Sequence, residues 1–192
     1  MRLKSLLSGC LIVVLWGAMI FPALGLAAEK ETPFPAYGTG PIEVRIYSDY
    51  FCPPCRSVEP EIEPLLSDLL KKNAIRLILV DTPFHQQTAL YVRYFLFALK
   101  VNNDPEHALK VRAFLFELSL SDVTTAEQME TVFKEKRILF RSFDPMPVFK
   151  WYNALLKEDK INATPSCVIV REGKKEKWVG GPDILKALRG IP

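Results

Sequence analysis

The stretch Ser48-Asp49-Tyr50-Phe51-Cys52-Pro53-Pro54-Cys55-Arg56 decides how this chain is read. An apolar run, Ile42 to Tyr47, leads into it, and a segment with helical spacing, Ser57 to Lys72, leads out. Cys52 therefore falls at a strand-to-helix junction. Unpaired N–H groups and the helix dipole favour a thiolate there. Cys55 lies one turn in, placed to close a small ring or to attack a mixed disulfide formed at Cys52. Pro53 and Pro54 suit a first helical turn, where a missing N–H costs little and a fixed φ helps. Zinc sites and static disulfides use the same spacing, so the pair alone leaves three chemistries open.

Charge in the first 28 of the 192 residues is confined to Arg2 and Lys4. Leu6 to Phe21 is almost continuously apolar, and Pro22, Gly25, Ala27 and Ala28 follow. This is the pattern of a secretory signal peptide over 1–27, cleaved near Ala27. The uncharged run Ser5 to Ala28 is also long enough to span a bilayer, so an uncleaved membrane anchor is the alternative. Cys10 precedes most of the apolar stretch, which argues against a lipidation site. A mature chain keeps Cys52, Cys55 and Cys167. It carries 23 Lys and Arg against 22 Asp and Glu, because Arg2 and Lys4 leave with the leader. A nearly neutral domain without a basic cluster gives no support for nucleic-acid binding. Export places the cysteines where disulfides persist.

Residues 28–41 hold Pro33, Pro35, Gly38 and Gly40 and are expected to form a loose N-terminal arm. Ile42 to Tyr47 is the first strand. In Ser57 to Lys72, Val58, Ile62, Leu65, Leu66, Leu69 and Leu70 recur at helical spacing, with a kink expected at Pro64. Ala74 to Val80 reads as a buried strand, parallel to the first because a helix connects them. From Pro83 onward the pattern is helical. It gives Thr88 to Lys100, Pro105 to Leu118 capped by Asp104, Ala126 to Lys136 capped by Thr124 or Thr125, and Val148 to Glu158. Tyr91, Tyr94, Phe95, Phe97, Phe114 and Phe116 read as core. Cys167 to Val170 and Glu176 to Val179 form a hairpin, and Asp183 to Leu188 a closing helix.

Strand, helix, strand, helical block, hairpin and helix, with Cys52-Pro53-Pro54-Cys55 at the first junction and Thr164-Pro165 before the hairpin, resemble the thioredoxin superfamily. The helical block, at about 86–160, resembles its DsbA-like branch of exported thiol–disulfide oxidoreductases. The expected fold is α/β, a thioredoxin-like fold with a helical insertion, over 42–192. The resemblance makes Cys52 the attacking and Cys55 the resolving cysteine of a redox-active disulfide. It also makes Thr164-Pro165 a cis-proline loop that binds substrate. A cis X–Pro bond leaves neighbouring peptide groups free to pair with an extended segment.

Two departures from the family bear on the chemistry. Many relatives carry a buried acid six positions before the attacking cysteine, where this chain has Ile46. Asp49 is nearer the motif but is expected at the strand end, in a more exposed setting. Strongly oxidising relatives place a histidine between the cysteines, whereas Pro53-Pro54 supplies neither charge nor donor. That argues against the most oxidising extreme.

Cys167 reads as a buried, inert thiol. His85 and His107 are the only histidines and belong on the surface or in loops, so no metal and no cofactor is expected. The leading reading is a periplasmic enzyme, a monomer, acting on cysteine-containing exported proteins and regenerated by a membrane redox partner. One alternative is a TlpA/ResA-like reductant for a narrow client such as a cytochrome c maturation protein. Another is a non-catalytic binding module in which the cysteines serve only as a staple.

Overall fold

The computed structural model describes residues 34–192. The leader and the first part of the N-terminal arm lie outside the described residues. A five-stranded sheet in the order β1-β3-β2-β4-β5 forms the centre. Strand β2 (Ile42–Ser48) connects through helix α1 (Pro53–Lys71) to β3 (Ile75–Asp81), and the two strands pair in parallel from Ile42–Ile75 to Ser48–Asp81. Four helices then intervene: α2 (Thr88–Leu99), α3 (Pro105–Leu118), α4 (Ala126–Glu135) and α5 (Met146–Glu158). The chain returns as β4 (Ser166–Arg171), antiparallel to β2, and β5 (Lys174–Val179). Helix α6 (Gly181–Arg189) closes it. Among the described residues no helix is long and apolar enough to cross a membrane.

The apolar spacing places each element. In α1, Val58, Ile62, Leu66 and Leu69 fall on one buried face, and the helix packs against both α3 and α6. Each such side chain removed from water contributes about 1.5–3 kcal/mol. The helix runs without interruption through Pro60 and Pro64 to Lys71. Helix α2 is buried almost all round, with Tyr91, Phe95, Leu96 and Leu99 inaccessible to solvent, so it forms the spine of the inserted block. Side-chain caps hold the first turns of α3 and α4 inside the block. The Asp104 side chain accepts from His107 N, and Thr125 with Gln128 forms a capping box.

The arm is not wholly loose. Ala36–Tyr37 forms the edge strand β1, antiparallel to β3 with Ala36 opposite Ile78. Gly38, at φ +77°, and Gly40 let the arm lie against β3. A Cβ at Gly38 would meet the Ile75 carbonyl oxygen at 2.6 Å, and one at Gly40 would meet the Ile75 amide. Proline and glycine here mark a close approach between two segments rather than freedom.

Candidate active site

Strand β2 ends at Ser48, and a turn carries the chain into α1. Cys52 N donates to Asp49 O at 3.1 Å, which closes the turn, and Arg56 N donates to Cys52 O at 3.1 Å, the first helical bond. Cys52 is the N-cap residue, in extended conformation, with Pro53 and Pro54 as the first two helical residues. The prolines remove two of the amides that a helix normally leaves free at its start. Only the Cys55 N–H remains in the first turn for an anion at Cys52.

Both cysteines are free thiols. Cys52 is 6% exposed and Cys55 1%. The Cys52 thiol donates to the Thr164 carbonyl at 3.3 Å. Burial and the neighbouring Cys52 push the Cys55 thiol up to about 12, while the Asp49 main chain and the Thr164 hydroxyl pull the other way. Thr164–Pro165 is a cis peptide bond. Its loop is held by Gly180 N donating to Pro165 O at 3.0 Å and Ser166 Oγ donating to Ala163 O at 2.8 Å. All four residues singled out in the sequence, Cys52, Cys55, Thr164 and Pro165, thus belong to one cluster.

Asp49 corrects the expectation of an exposed strand-end acid: it is fully buried. Its Oδ1 accepts from Phe51 N at 2.8 Å and Thr88 Oγ1 at 2.7 Å. Its Oδ2 accepts from Phe84 N at 2.8 Å and His85 N at 3.0 Å, and His85 Nδ1 lies 3.0 Å away. Part of this was legible, because an Asp two residues before Phe51 suits an Asx turn. The bonds to residues 84–88 were not, because they cross from one connection to another.

A second buried polar group escaped the sequence reading altogether. Glu59 on α1 and Arg112 on α3 form a buried ion pair, with Nε to Oε1 at 2.7 Å and Nη2 to Oε2 at 3.0 Å. Arg112 Nη2 also donates to Ser48 Oγ at 2.8 Å, and Nη1 stands 3.5 Å from Asp81. Burial raises Asp81 to about 7 despite the opposing pull of Arg112. Helical spacing contained the signal. Glu59 follows Cys55 by four and precedes Ile62 by three, and Arg112 stands between Ala108, Leu109, Leu115 and Phe116 on the inner side of α3. Ile46, six positions before Cys52, is buried opposite Cys167 on β4. Burial also pushes the Cys167 thiol up to about 12, as an inert core residue requires. His85 sits in the loop before α2 and His107 in the first turn of α3.

The sequence profile of the thioredoxin family matches residues 38–182. The chain belongs to the thioredoxin family. Thiol–disulfide exchange is that family's chemistry, and Cys52 and Cys55 occupy its strand-to-helix junction. No curated protein matches the chain. Several solved structures share its fold at low sequence identity. A periplasmic thioredoxin-like protein from Salmonella enterica serovar Typhimurium is 19% identical, with TM-score 0.61, over 82% of this chain and 88% of that one. A putative protein-disulfide isomerase from Pseudomonas syringae is 16% identical, with TM-score 0.62, over 82% and 97%. Wolbachia pipientis alpha-DsbA1 is 12% identical, with TM-score 0.62, over 82% and 90%. The fold is therefore the DsbA-like form of the thioredoxin fold, with its helices inserted between β3 and β4.

Proposed function

We propose that this protein is an exported thiol–disulfide oxidoreductase that exchanges disulfides with cysteine pairs of extracytoplasmic proteins. The observation that carries this is the 3.3 Å contact between the Cys52 thiol and the Thr164 carbonyl. It joins the cysteine at the helix start to the loop whose peptide groups face a client. In the oxidising direction a client thiolate attacks Cys52 Sγ, the Cys52–Cys55 bond breaks, and Cys55 leaves with the electron pair and takes a proton. The client's second thiolate then attacks its own sulfur in the mixed disulfide. The client leaves oxidised, and the pair is left as a dithiol holding two electrons, which a membrane redox partner removes. The reducing direction is the same sequence reversed, with Cys55 resolving the mixed disulfide.

The high pKa of Cys55 makes it the slow partner in resolution and the thiol that holds its proton after ring opening. Four helices between β3 and β4 favour the DsbA-like reading over the TlpA/ResA-like one, whose insertion is smaller. Arg2, Lys4 and the apolar run before Ala28 support export, and the Salmonella relative is described as periplasmic.

One experiment tests both parts. The full chain carrying Cys55→Ala is expressed, and the periplasmic fraction is recovered under acid quench. We expect disulfide-linked client adducts that vanish on reduction, absence of adducts with Cys52→Ala, and an N-terminus near Ala28. Equal adducts from the two variants would contradict the assignment of Cys52. Recovery from Met1 in the membrane pellet would favour an anchor.

A further inference from the structure

The exchange reading assigns roles to Cys52, Cys55, Thr164 and Pro165 but none to the most densely bonded acid beside them. Asp49 reaches Cys52 through its own backbone, its carbonyl accepting from Cys52 N, and its main chain opposes the upward push of burial on the Cys55 thiol. Its carboxylate, fully buried, gathers Phe51 N and Thr88 Oγ1 on one oxygen and Phe84 N, His85 N and His85 Nδ1 on the other. One residue thus ties the turn that seats the thiols to the segment that opens the helical insertion. The adjoining strand ends are locked in the same direction by Thr82 N donating to Ser48 O at 2.7 Å.

Resting on that reading, we propose that Asp49 is a positioning residue that holds Cys52 and Cys55 at the separation needed for ring closure, with Thr88 and His85 as its supports.

The chemistry of the carboxylate explains why Asp stands here. Both oxygens accept, and neither donates. Each bond to these oxygens stabilises the turn, and a buried N–H left without an acceptor is costly. An Asn would keep one acceptor and turn an NH2 toward either Phe51 N and Thr88 or Phe84 N and His85 N, donor against donor. One side of the clamp would open while size and packing stayed nearly constant. The turn would then sample other Cys52–Cys55 separations. Forming the ring would cost more entropy, so the effective concentration of one thiol toward the other would fall.

The dithiol–disulfide equilibrium constant with glutathione measures that effective concentration. The rate at which Cys55 expels glutathione from its mixed disulfide with Cys52 measures the approach to it. We expect Asp49→Asn to lower both by about tenfold, which for the equilibrium is about 30 mV. Thr88→Val and His85→Ala each remove one support and are expected to lower both by about threefold. The pH profile of Cys52 alkylation by iodoacetamide should shift far less than the ring-closure rate. A purely structural role would lower the melting temperature and leave the folded protein's equilibrium constant and ring-closure rate at parental values. Those parental values in folded Asp49→Asn would overturn the proposal. If that variant does not fold, His85→Ala, whose ring is half exposed, decides the matter by the same criterion. A parent that does not exchange with glutathione removes the exchange reading itself, and this proposal with it. A parent that exchanges beside unchanged variants removes the proposal alone.

Discussion

The Cys52 thiol donates to the carbonyl oxygen of Thr164, 112 positions further along the chain, at 3.3 Å. The side chain of the same residue opposes the upward push of burial on the Cys55 thiol. Thr164 therefore acts on the two cysteines through different groups: the backbone for Cys52 and the side chain for Cys55.

That division gives a mutation with a one-sided effect. Thr164→Val keeps the carbonyl and the branched shape but deletes the hydroxyl. Cys55 should then ionise less readily, and resolution of a Cys52 mixed disulfide should slow by about tenfold, the size of one lost hydrogen bond to a charged sulfur. Attack at Cys52 should stay close to parental. Stopped-flow measurement of glutathione release, beside alkylation of Cys52, separates the two steps. Equal slowing of both would mean that the hydroxyl does not act through Cys55.

Pro53 and Pro54 give a second test. Pro54→Ala adds an N–H at the second helical position, where the native turn has none. An added donor at the helix start favours the anion of Cys52 and hence the reduced form. The variant should be the more oxidising by a few tens of millivolts, about a tenfold change in equilibrium constant. An unchanged or more reducing potential would show that amides at this turn do not govern the pair.

Asp81 gives the pH dependence. Its folded pKa of about 7 lies above the ordinary carboxylate value, so the native state binds the proton more tightly than the unfolded chain. Its contribution to stability is fully present below about pH 4 and is lost as pH rises towards 7, at up to about 1.4 kcal/mol per pH unit. Asp159 has the opposite sign. Lys175, Tyr47 and Arg45 overcome its burial and hold its carboxyl below the usual range, so it loses stability on acidification. Asp159 is common to parent and variant, so the difference between Asp81→Asn and the parent isolates Asp81. Denaturant unfolding should show the variant gaining on the parent as pH rises from about 4.5 to 7.5. Parallel pH curves would contradict the assignment.

What the sequence made legible was local or periodic. Strand and helix spacing placed β2, α1, β3 and the inserted helices to within a few residues. Asp104, and Thr124 or Thr125, offered caps, and Cys52, Cys55 and Thr164-Pro165 stood out by their spacing and by the elements around them. What stayed hidden depended on partners distant in the chain. Ala36–Tyr37 forms a strand only because β3 offers an edge, and its Pro and Gly neighbours mask it. Asp49 is buried because residues 84–88 fold over it. Glu59 and Arg112 lay on the inner faces of their helices, but the match between them, 53 positions apart, exists only when α1 packs on α3.

Whether Cys52 and Cys55 form a redox-active pair is read from the reduction potential of the two thiols. The mature protein would be equilibrated across a series of reduced and oxidised glutathione, quenched in acid and assayed for free thiols at the two positions. The pair should titrate reversibly. With two helix-start amides missing, its potential should lie below the strongly oxidising extreme of about −120 mV, yet above the region below about −300 mV where structural disulfides lie. A pair that stays oxidised throughout the series would be a staple, and one that never closes would not be a redox couple. Either result would contradict the account.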